Sequence, residues 1–541
     1  MMNFKVRYCP AVVALIAATT GSFSTVIARE TAHSHEPAPM PIAFKKIDQT
    51  VARAMAAFQV PGMAVGVIKD GKLIFAKGYG VREIGKTDPV SLDTVFQIGS
   101  NTKAFTAAAL AMLVDQGKLG WDDKVIDFLP NFRMHDPYVT REFTIRDLLT
   151  HRSGLGAGAG DLMFVPETDM TRDEIIYGIR YLKPVSGFRT RFDYDNLLYV
   201  VAGQVVAAAS GQSWESFVEA RIMAPLGMRS CTASFSRLRD RSNIASPHVV
   251  TDGKLKSIPV VNMDVIGPAG AINCSINGMS KWVVSQLARG ATPNGQALFK
   301  PERGEEMWTM NTIRPLNPQL APLFRTHFSG YALGWEVSDV FGHKRVAHTG
   351  GVIGTVTWVT MIPELNLGIL VFTNQESGEA MQSVGNQILD AYLGVPKRDW
   401  VDMAVAYAEN QANNAAGIEE DVARHLTSVT AAALPLAAYT GQYKDPWRGN
   451  ATVQMVNNRL ILKISRTNAL EATLVPYSGH IFVARWVDRS IKADAFVRFE
   501  QGFDRNITGI TMEAISPATD FSFDFQDLHF QKVGPLVNPT Q

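Results

Sequence analysis

Strand-like segments occur at two places far apart in this chain, with a helix-rich stretch between them. Met63-Ala64-Val65-Gly66-Val67-Ile68 and Leu73-Ile74-Phe75-Ala76 are short apolar runs around Lys69-Asp70-Gly71-Lys72, a hairpin signal with an Asp-Gly turn. Strand character returns from Gly334 onward. The run Val352 to Met361 alternates and is rich in β-branched residues, and Leu367 to Phe372 is apolar throughout before ending at Thr373-Asn374, as in a buried strand. Mixed helices and loops fill the region from Trp121 to about Pro225. A sheet drawn from both ends of such a segment must be assembled from residues distant in sequence, with helices packed on it and a helical subdomain inserted. The expected class is α/β (α+β).

The flanks divide the rest. Ile42 to Phe58 has Ile47, Val51, Ala54 and Met55 at helical spacing, and Pro61-Gly62 breaks it. Trp400 to about Leu426 is helix-prone and polar on one side, as a connecting helix would be. After Pro435 short strands recur: Thr452 to Val456 and Leu460 to Ile464 around Asn457-Asn458, then Ile481 to Trp486, Ala495 to Phe499, Ile507 to Met512 and Phe521 to Phe525. Short strands with turn signals predict a small all-β sandwich or barrel, and no catalytic constellation stands out in it. The expected division is a mixed α/β domain over 42–395, a helical linker over 396–434 and the β domain over 435–535.

The N-terminus reads as a targeting segment. Lys5 and Arg7 precede a short apolar stretch from Pro10 to Thr20, and Val26-Ile27-Ala28 offers a small-residue cleavage site. The apolar run is shorter than the roughly 20 residues that span a bilayer. We therefore expect a Sec-type signal over 1–28, a flexible leader over 29–41, and a periplasmic or secreted protein without an integral membrane segment. Removing the signal leaves Cys231 and Cys274, for which one bridge is possible in an oxidising compartment. His33-Ser34-His35-Glu36 suggests metal ligation, but it lies among Pro37, Pro39 and Pro41 with no second ligand cluster at a familiar spacing. A flexible leader is the better reading, and no metal or cofactor is expected.

At 541 residues with a formal charge of +1, 46% hydrophobic and 19% charged, the chain suits a large core. It has no single-sign field for nucleic acid. Its most chemically pointed segment is Ser100-Asn101-Thr102-Lys103, which follows Val95-Phe96-Gln97-Ile98-Gly99 and opens a run of helix formers. Residues i and i+3 share a helix face, so the Lys103 amine can reach the Ser100 hydroxyl. Ser100 would also lie at a helix N-terminus, where backbone N–H groups favour developing negative charge.

Alone, Ser-x-x-Lys is more often an N-cap beside a solvated lysine. Three further segments lift it: Tyr194-Asp195-Asn196 leading into an apolar helix, His348-Thr349-Gly350-Gly351 just before the strand Val352 to Met361, and His151-Arg152-Ser153-Gly154-Leu155 after the helix Ile145 to Thr150. In that order, over about Ile42 to Val395, the chain resembles the serine β-lactamase and penicillin-binding protein superfamily, closest to its class C-like branch of esterases, D-stereospecific peptidases and carboxypeptidases. The tail resembles a lipocalin-like β domain. The resemblance implies an antiparallel sheet flanked by helices.

It also implies roles. Ser100 would be the nucleophile of an acyl-enzyme. Lys103, its pKa lowered by burial, and Tyr194, its phenolate favoured by nearby cations, are both candidate bases. Asn196 would bond Lys103 and a substrate amide oxygen. Backbone N–H groups of Ser100 and Gly351 would hold the oxyanion, each such donor lowering the barrier by about 3–4 kcal/mol. His348, Thr349, Gly350 and Gly351 would bind an extended substrate backbone by strand addition.

Two departures from the family pattern matter. His348 stands where many β-lactamases carry lysine; histidine titrates near neutral pH, so a free carboxylate is gripped less firmly and ester or peptide substrates are favoured over antibiotics. Asp195 replaces a commonly small residue, and reads as a turn residue or as a charge facing the site. His151 reads as a helix-end anchor, Trp335 and Trp358 as core or cleft wall, and Pro268-Ala269-Gly270-Ala271 as backbone packing near the cleft.

The expected activity is an exported serine hydrolase cleaving amide or peptide bonds of a small-molecule or short-peptide substrate, linear and with D- or unusual residues. Length and layout are similar to those of peptidases that cleave linearised microcystin. The alternatives are an esterase, a D-aminopeptidase or DD-carboxypeptidase, and, from another class, a penicillin-binding-like receptor that acylates without turnover.

Overall fold

The computed structural model describes residues 42–536, apart from 252, 397 and 429–430. The expected signal, leader and His33–Glu36 cluster lie outside the described residues. The first helix, α1 (Phe44–Phe58), buries Ile47, Thr50, Val51 and Ala54 along one stripe, the pattern of a helix laid on a core. Then β1 (Gly62–Lys69) and β2 (Lys72–Gly80) form the expected hairpin. Asp70 and Gly71 both have positive φ, 49° and 74°, the two-residue turn whose twist matches paired strands.

The sheet closes through segments from the far end of the domain: β3 (Thr312–Ile313), β4 (Ser329–Tyr331), β5 (Glu336–Val340), β6 (His343–Val352), β7 (Thr355–Ile362) and β8 (Leu367–Thr373). The eight strands run in the order β2-β1-β8-β7-β6-β5-β4-β3, and every pairing is antiparallel. β1 docks on β8, Met63 opposite Thr373, so the sheet joins across the inserted helical region as anticipated. The strand read as Val352 to Met361 is two strands. Ile353-Gly354 turns the chain between them, Gly354 taking φ 79°, and His348–Gly351 therefore lies inside β6 rather than before a strand. An alternating run does not reveal a tight turn when its turn residues are themselves an apolar residue and a glycine.

Helices cover both faces. α2 (Lys103–Asp115) has every residue from Lys103 to Leu113 buried, as a helix at the centre of a large domain must. α3 (Leu197–Ser210) packs beside it, α4 (Ile276–Leu287) covers one face of the sheet, and α5 (Gly378–Tyr392) lies on the other, against β7 and β8. Cys231 and Cys274 form a disulfide. Trp335 and Trp358 are both buried in the core, 1% and 6% exposed.

The long helix α6 (Trp400–Ser428) leads to a closed eight-stranded barrel: β9 (Gly441–Asp445), β10 (Gly449–Val456), β11 (Arg459–Ile464), β12 (Glu471–Ser478), β13 (Ile481–Trp486), β14 (Ala495–Gln501), β15 (Ile507–Ala514) and β16 (His529–Gly534). Closure removes free edges, which decides between the sandwich and the barrel. Asn457 and Asn458 both adopt positive φ in the turn joining β10 to β11, as asparagine tolerates. Phe521–Phe525 is not the strand its aromatic content suggests. Asp520 accepts the Ser522 N–H at 2.9 Å in a turn, and the Asp524 side chain leaves the barrel to bind Gly160 N–H at 2.7 Å and Leu162 N–H at 2.9 Å in the domain that holds the large sheet. Side chain-to-backbone bonds of this kind compete with strand pairing.

Candidate active site

Ser100 sits in a 3-10 turn, Gly99–Thr102, that runs straight into α2. Lys103, one turn later, places Nζ 3.0 Å from Ser100 Oγ. The same nitrogen donates to Asn196 Oδ1 at 2.7 Å and to the Ala269 carbonyl at 3.0 Å. Carbonyl oxygens only accept, so these two partners each take an N–H. The third direction points at Ser100, filled by an N–H in the ammonium and by the lone pair in the neutral amine. Lys103 is fully buried. Burial pulls its pKa down to about 7 against the opposing pull of Asp161 and Asp195, because desolvation penalises the charged form. Near neutral pH a large share of the amine is therefore free to accept the Ser100 proton.

Tyr194 shares a hydrogen bond with Ser100, and its ring centroid lies 4.8 Å from Lys103 Nζ. The expectation that nearby cations favour its phenolate is overturned. Burial pushes the phenol well above its usual value, and the Ser100 bond opposes this only in part. At neutral pH the resting Tyr194 side chain is held as the neutral phenol. Asn196 turns its carbonyl to Lys103 and its amide N–H to Asp161 Oδ2, at 2.7 Å.

Asp195 faces away from the cleft and is fully buried. Its Oδ1 accepts the Leu198 N–H at 3.3 Å at the start of α3, the turn role, and burial raises its carboxyl to about 7. His151 does more than end a helix. The helix stops at Leu148, and His151 follows with φ 52°. Its Nδ1 accepts the Asp195 N–H at 3.0 Å, its carbonyl accepts the Asp193 N–H at 3.0 Å, and its ring packs 4.3 Å from that of Tyr194. It fastens the Tyr194 loop from both sides.

The strand β6 forms the opposite wall. It pairs with β5 from His343 to Ala347 and with β7 from Val346 to Val352, so beyond Ala347 β6 pairs with β7 alone. Strand alternation buries His348 and Gly350 and exposes Thr349 and Gly351 to the cleft. A Cβ on Gly350 would meet the Ile98 carbonyl oxygen at 1.9 Å, so this strand can lie against the Ser100 turn only with glycine there. His348 does not titrate near neutrality as its residue type suggests. Burial pulls it down to about 4, with Glu336 the main opposing influence. Nδ1 donates to the Thr349 carbonyl at 2.6 Å, which leaves Nε2 to accept from Tyr331 Oη–H at 2.7 Å, the bonding of a neutral imidazole. The nearby Arg314 guanidinium is paired to Glu336 at 2.7 Å.

These walls enclose a cleft of about 750 Å³ lined by Ser100, Tyr194, Asn196, His348, Thr349, Gly350 and Gly351 together. All eight sequence-derived residues thus converge on one place, Lys103 lying just behind Ser100. What sequence reasoning missed is the supporting polar groups. The Pro268–Ala271 segment supplies the Ala269 carbonyl to Lys103 and the Pro268 carbonyl to Thr106 Oγ1, at 2.7 Å; backbone acceptors leave no side-chain signal. Asp161 and the barrel's Ile491, Lys492 and Phe521–Phe523 carry none either, since nothing in one chain says which loops will meet.

The beta-lactamase profile matches residues 47–393, and a domain of unknown function, DUF3471, matches 427–532. Among similar proteins, the unguisins hydrolase ungD′ of Aspergillus campestris is 28% identical over 91% of this chain and 94% of that protein. Penicillin-binding protein 4 of Amycolatopsis lactamdurans is 29% identical over 58% and 81%. In fold, the octameric penicillin-binding protein homologue from Pyrococcus abyssi superposes with a TM-score of 0.58 at 22% identity, covering 91% of this chain and all of that one. Profile and relatives show that this chain belongs to the beta-lactamase family and is a serine hydrolase.

Proposed function

We propose that this protein is an exported hydrolase that cleaves amide bonds of linear peptides containing D- or otherwise unusual residues, through an acyl-enzyme on Ser100. The observation that carries it is the fully buried Lys103 amine, 3.0 Å from Ser100 Oγ and titrating at about 7. A base poised near the working pH holds the right protonation state and still drives transfer. The Lys103 lone pair takes the Ser100 proton as Oγ attacks the carbonyl carbon. Backbone N–H groups of Ser100 and Gly351 receive the oxyanion. Tyr194, protonated and bonded to Ser100, passes its proton to the departing amine and takes one back from the Lys103 ammonium, which restores the neutral lysine. Water then enters, Lys103 accepts one of its protons as the water oxygen attacks the acyl carbon, and the acyl–Oγ bond breaks as that proton returns to Ser100 Oγ.

The unpaired edge of β6 from His348 onward supports an extended backbone as substrate, since main-chain bonding along a strand suits peptides of varied side chain. With His348 neutral, Arg314 paired to Glu336 and Lys492 paired to Glu376, no unpaired lysine or arginine lines the cleft among the described residues, which argues against an antibiotic hydrolase. The similarity to a protein named for hydrolysing unguisins is in keeping with a peptide amide substrate. Linearised microcystin belongs to the proposed class. The export half of the reading rests on the signal-like residues 1–28. The test is mass-spectrometric cleavage of linear and D-residue peptides, linearised microcystin among them, by wild type and Ser100→Ala. Cleavage lost in the variant is the expected result; cleavage that persists, or turnover of nitrocefin or simple esters alone, overturns it.

A further inference from the structure

The barrel reaches into the hydrolase machinery through one short loop. Ser522 Oγ–H donates to Asp161 Oδ2 at 2.8 Å, and Asn196 Nδ2 donates to that same oxygen at 2.7 Å. Asn196 Oδ1 in turn accepts from Lys103 Nζ. We propose that Ser522 is a positioning residue for the hydrolase: its hydroxyl holds Asp161, Asp161 orients the Asn196 amide, and Asn196 aims Lys103 at Ser100. This rests on the reading of Ser100 as nucleophile and Lys103 as base.

The amide is the decisive link. An asparagine side chain is nearly symmetric in shape and opposite in chemistry at its two ends. Flipped, it would point an N–H at the lysine and leave the amine with no acceptor on that side. Asp161 Oδ2 already accepts from Ser522 Oγ–H, so it admits only the amide's N–H end. Asp161 is fully buried, and its Oδ1 has no partner within the described residues. Without Ser522 the carboxyl group would rest on a single side-chain bond and be free to turn, and buried polar groups left short of partners rearrange to find them.

A second contact from the same loop acts on the backbone. Asp524 binds the N–H groups of Gly160 and Leu162, the two neighbours of Asp161. The barrel therefore fixes both the main chain and the side chain of Asp161. Ser522 is 8% exposed, shielded from bulk water that could replace its hydroxyl. A third contact, Arg466 with Asp169 and Glu174, joins the barrel to the hydrolase region away from this relay.

The test follows the rate of Ser100 phosphonylation by a fluorophosphonate probe, which needs an activated nucleophile but no known substrate. Ser522→Ala should lower the limiting rate about tenfold, the scale of a small misplacement of a catalytic group, with the half-saturating probe concentration unchanged. Ser522→Thr, which keeps a hydroxyl, should recover to within about twofold. Asp161→Asn should lose at least as much, and adding Ser522→Ala to it should cost nothing more, because members of one relay are not additive. Arg466→Ala, which loosens the same interface elsewhere, should label at the wild-type rate. Wild-type labelling of Ser522→Ala, an equal loss in Arg466→Ala, or additive losses in the double variant would each overturn the relay. Failure of the wild type to label, or equal labelling of Ser100→Ala, would instead overturn the acyl-enzyme reading beneath it.

Discussion

Lys103 Nζ lies 3.0 Å from Ser100 Oγ with its other two directions occupied by Asn196 Oδ1 and the Ala269 carbonyl. Replacing the amine by a group that cannot lose its proton should therefore disable the nucleophile without moving it. Lys103→Arg retains charge and reach, but guanidinium does not deprotonate in proteins. Both Lys103→Arg and Lys103→Met are expected to lower kcat/KM by about 10²–10⁴-fold, measured on any turned-over peptide. Activity within a few fold of wild type would move the base elsewhere.

Activity should rise with pH through a midpoint near 7. The sign follows from Lys103: burial places it at about 7, the protonated amine cannot accept from Ser100, and rate appears as that proton leaves. The groups around it are Asp161, Asp195, Tyr194, Tyr199, His151 and His348. His348, pulled down to about 4, contributes no limb near neutrality. Asp195 stabilises the ammonium, so Asp195→Asn should shift the kcat/KM midpoint to lower pH. A midpoint that moves up, or one abolished by His348→Asn alone, contradicts this assignment.

The same aspartate makes a stability prediction. Its carboxyl is raised to about 7 in the folded chain from an ordinary value of 3.8, so the folded state binds the extra proton between those values and stability falls as pH rises through that window. The penalty is absent below about pH 4 and complete above about pH 7. Asp195→Asn removes the charge and keeps the oxygen that caps Leu198 N–H. It should raise Tm at pH 8, by an amount worth roughly a few kcal/mol, and change it little at pH 4. Calorimetry at the two pH values decides.

Two adjacent glycines should respond differently. A Cβ on Gly350 would meet the Ile98 carbonyl at 1.9 Å, whereas one on Gly351 meets nothing within 4 Å. Gly350→Ala is expected to cost about 1–3 kcal/mol or more in stability and to lose activity with it. Gly351→Ala should keep Tm and instead lower kcat/KM for peptides, because the methyl group stands on the exposed strand edge. Equal loss of Tm in both would argue against the close approach of β6 to the Ser100 turn.

The Cys231–Cys274 bridge closes a separation of 43 residues. By loop-closure entropy, Cys231→Ala with Cys274→Ala should lower unfolding free energy by about 2–4 kcal/mol, read by denaturant titration. The bridge does not touch the Ser100–Lys103–Asn196 cluster, so kcat should be unchanged.

Much of the site was legible because its chemistry depends on short spacings. Ser100 and Lys103 meet through helix periodicity alone, Asp70-Gly71 and Asn457-Asn458 announce their hairpins through residues that accept positive φ, and Trp400–Ser428 declares its helix by composition. Those are local facts of the backbone. Protonation was not local: the same His348 and Tyr194 that residue type marks as titrating or anionic are held neutral by burial, and burial depends on what packs from elsewhere. Val352–Met361 shows the same limit in reverse, an alternating run broken by a turn that pairing with β6 reveals.

By itself, then, the amino-acid order determined Ser100, the lysine that reaches it and the strand that faces them, since each is carried by neighbours within a few residues. Tertiary structure alone decided that Asp161 and the barrel's Ser522 stand behind Asn196. These residues lie in separate loops, and a hydrogen bond between loops is set by the docking of two folded bodies, which no local pattern encodes.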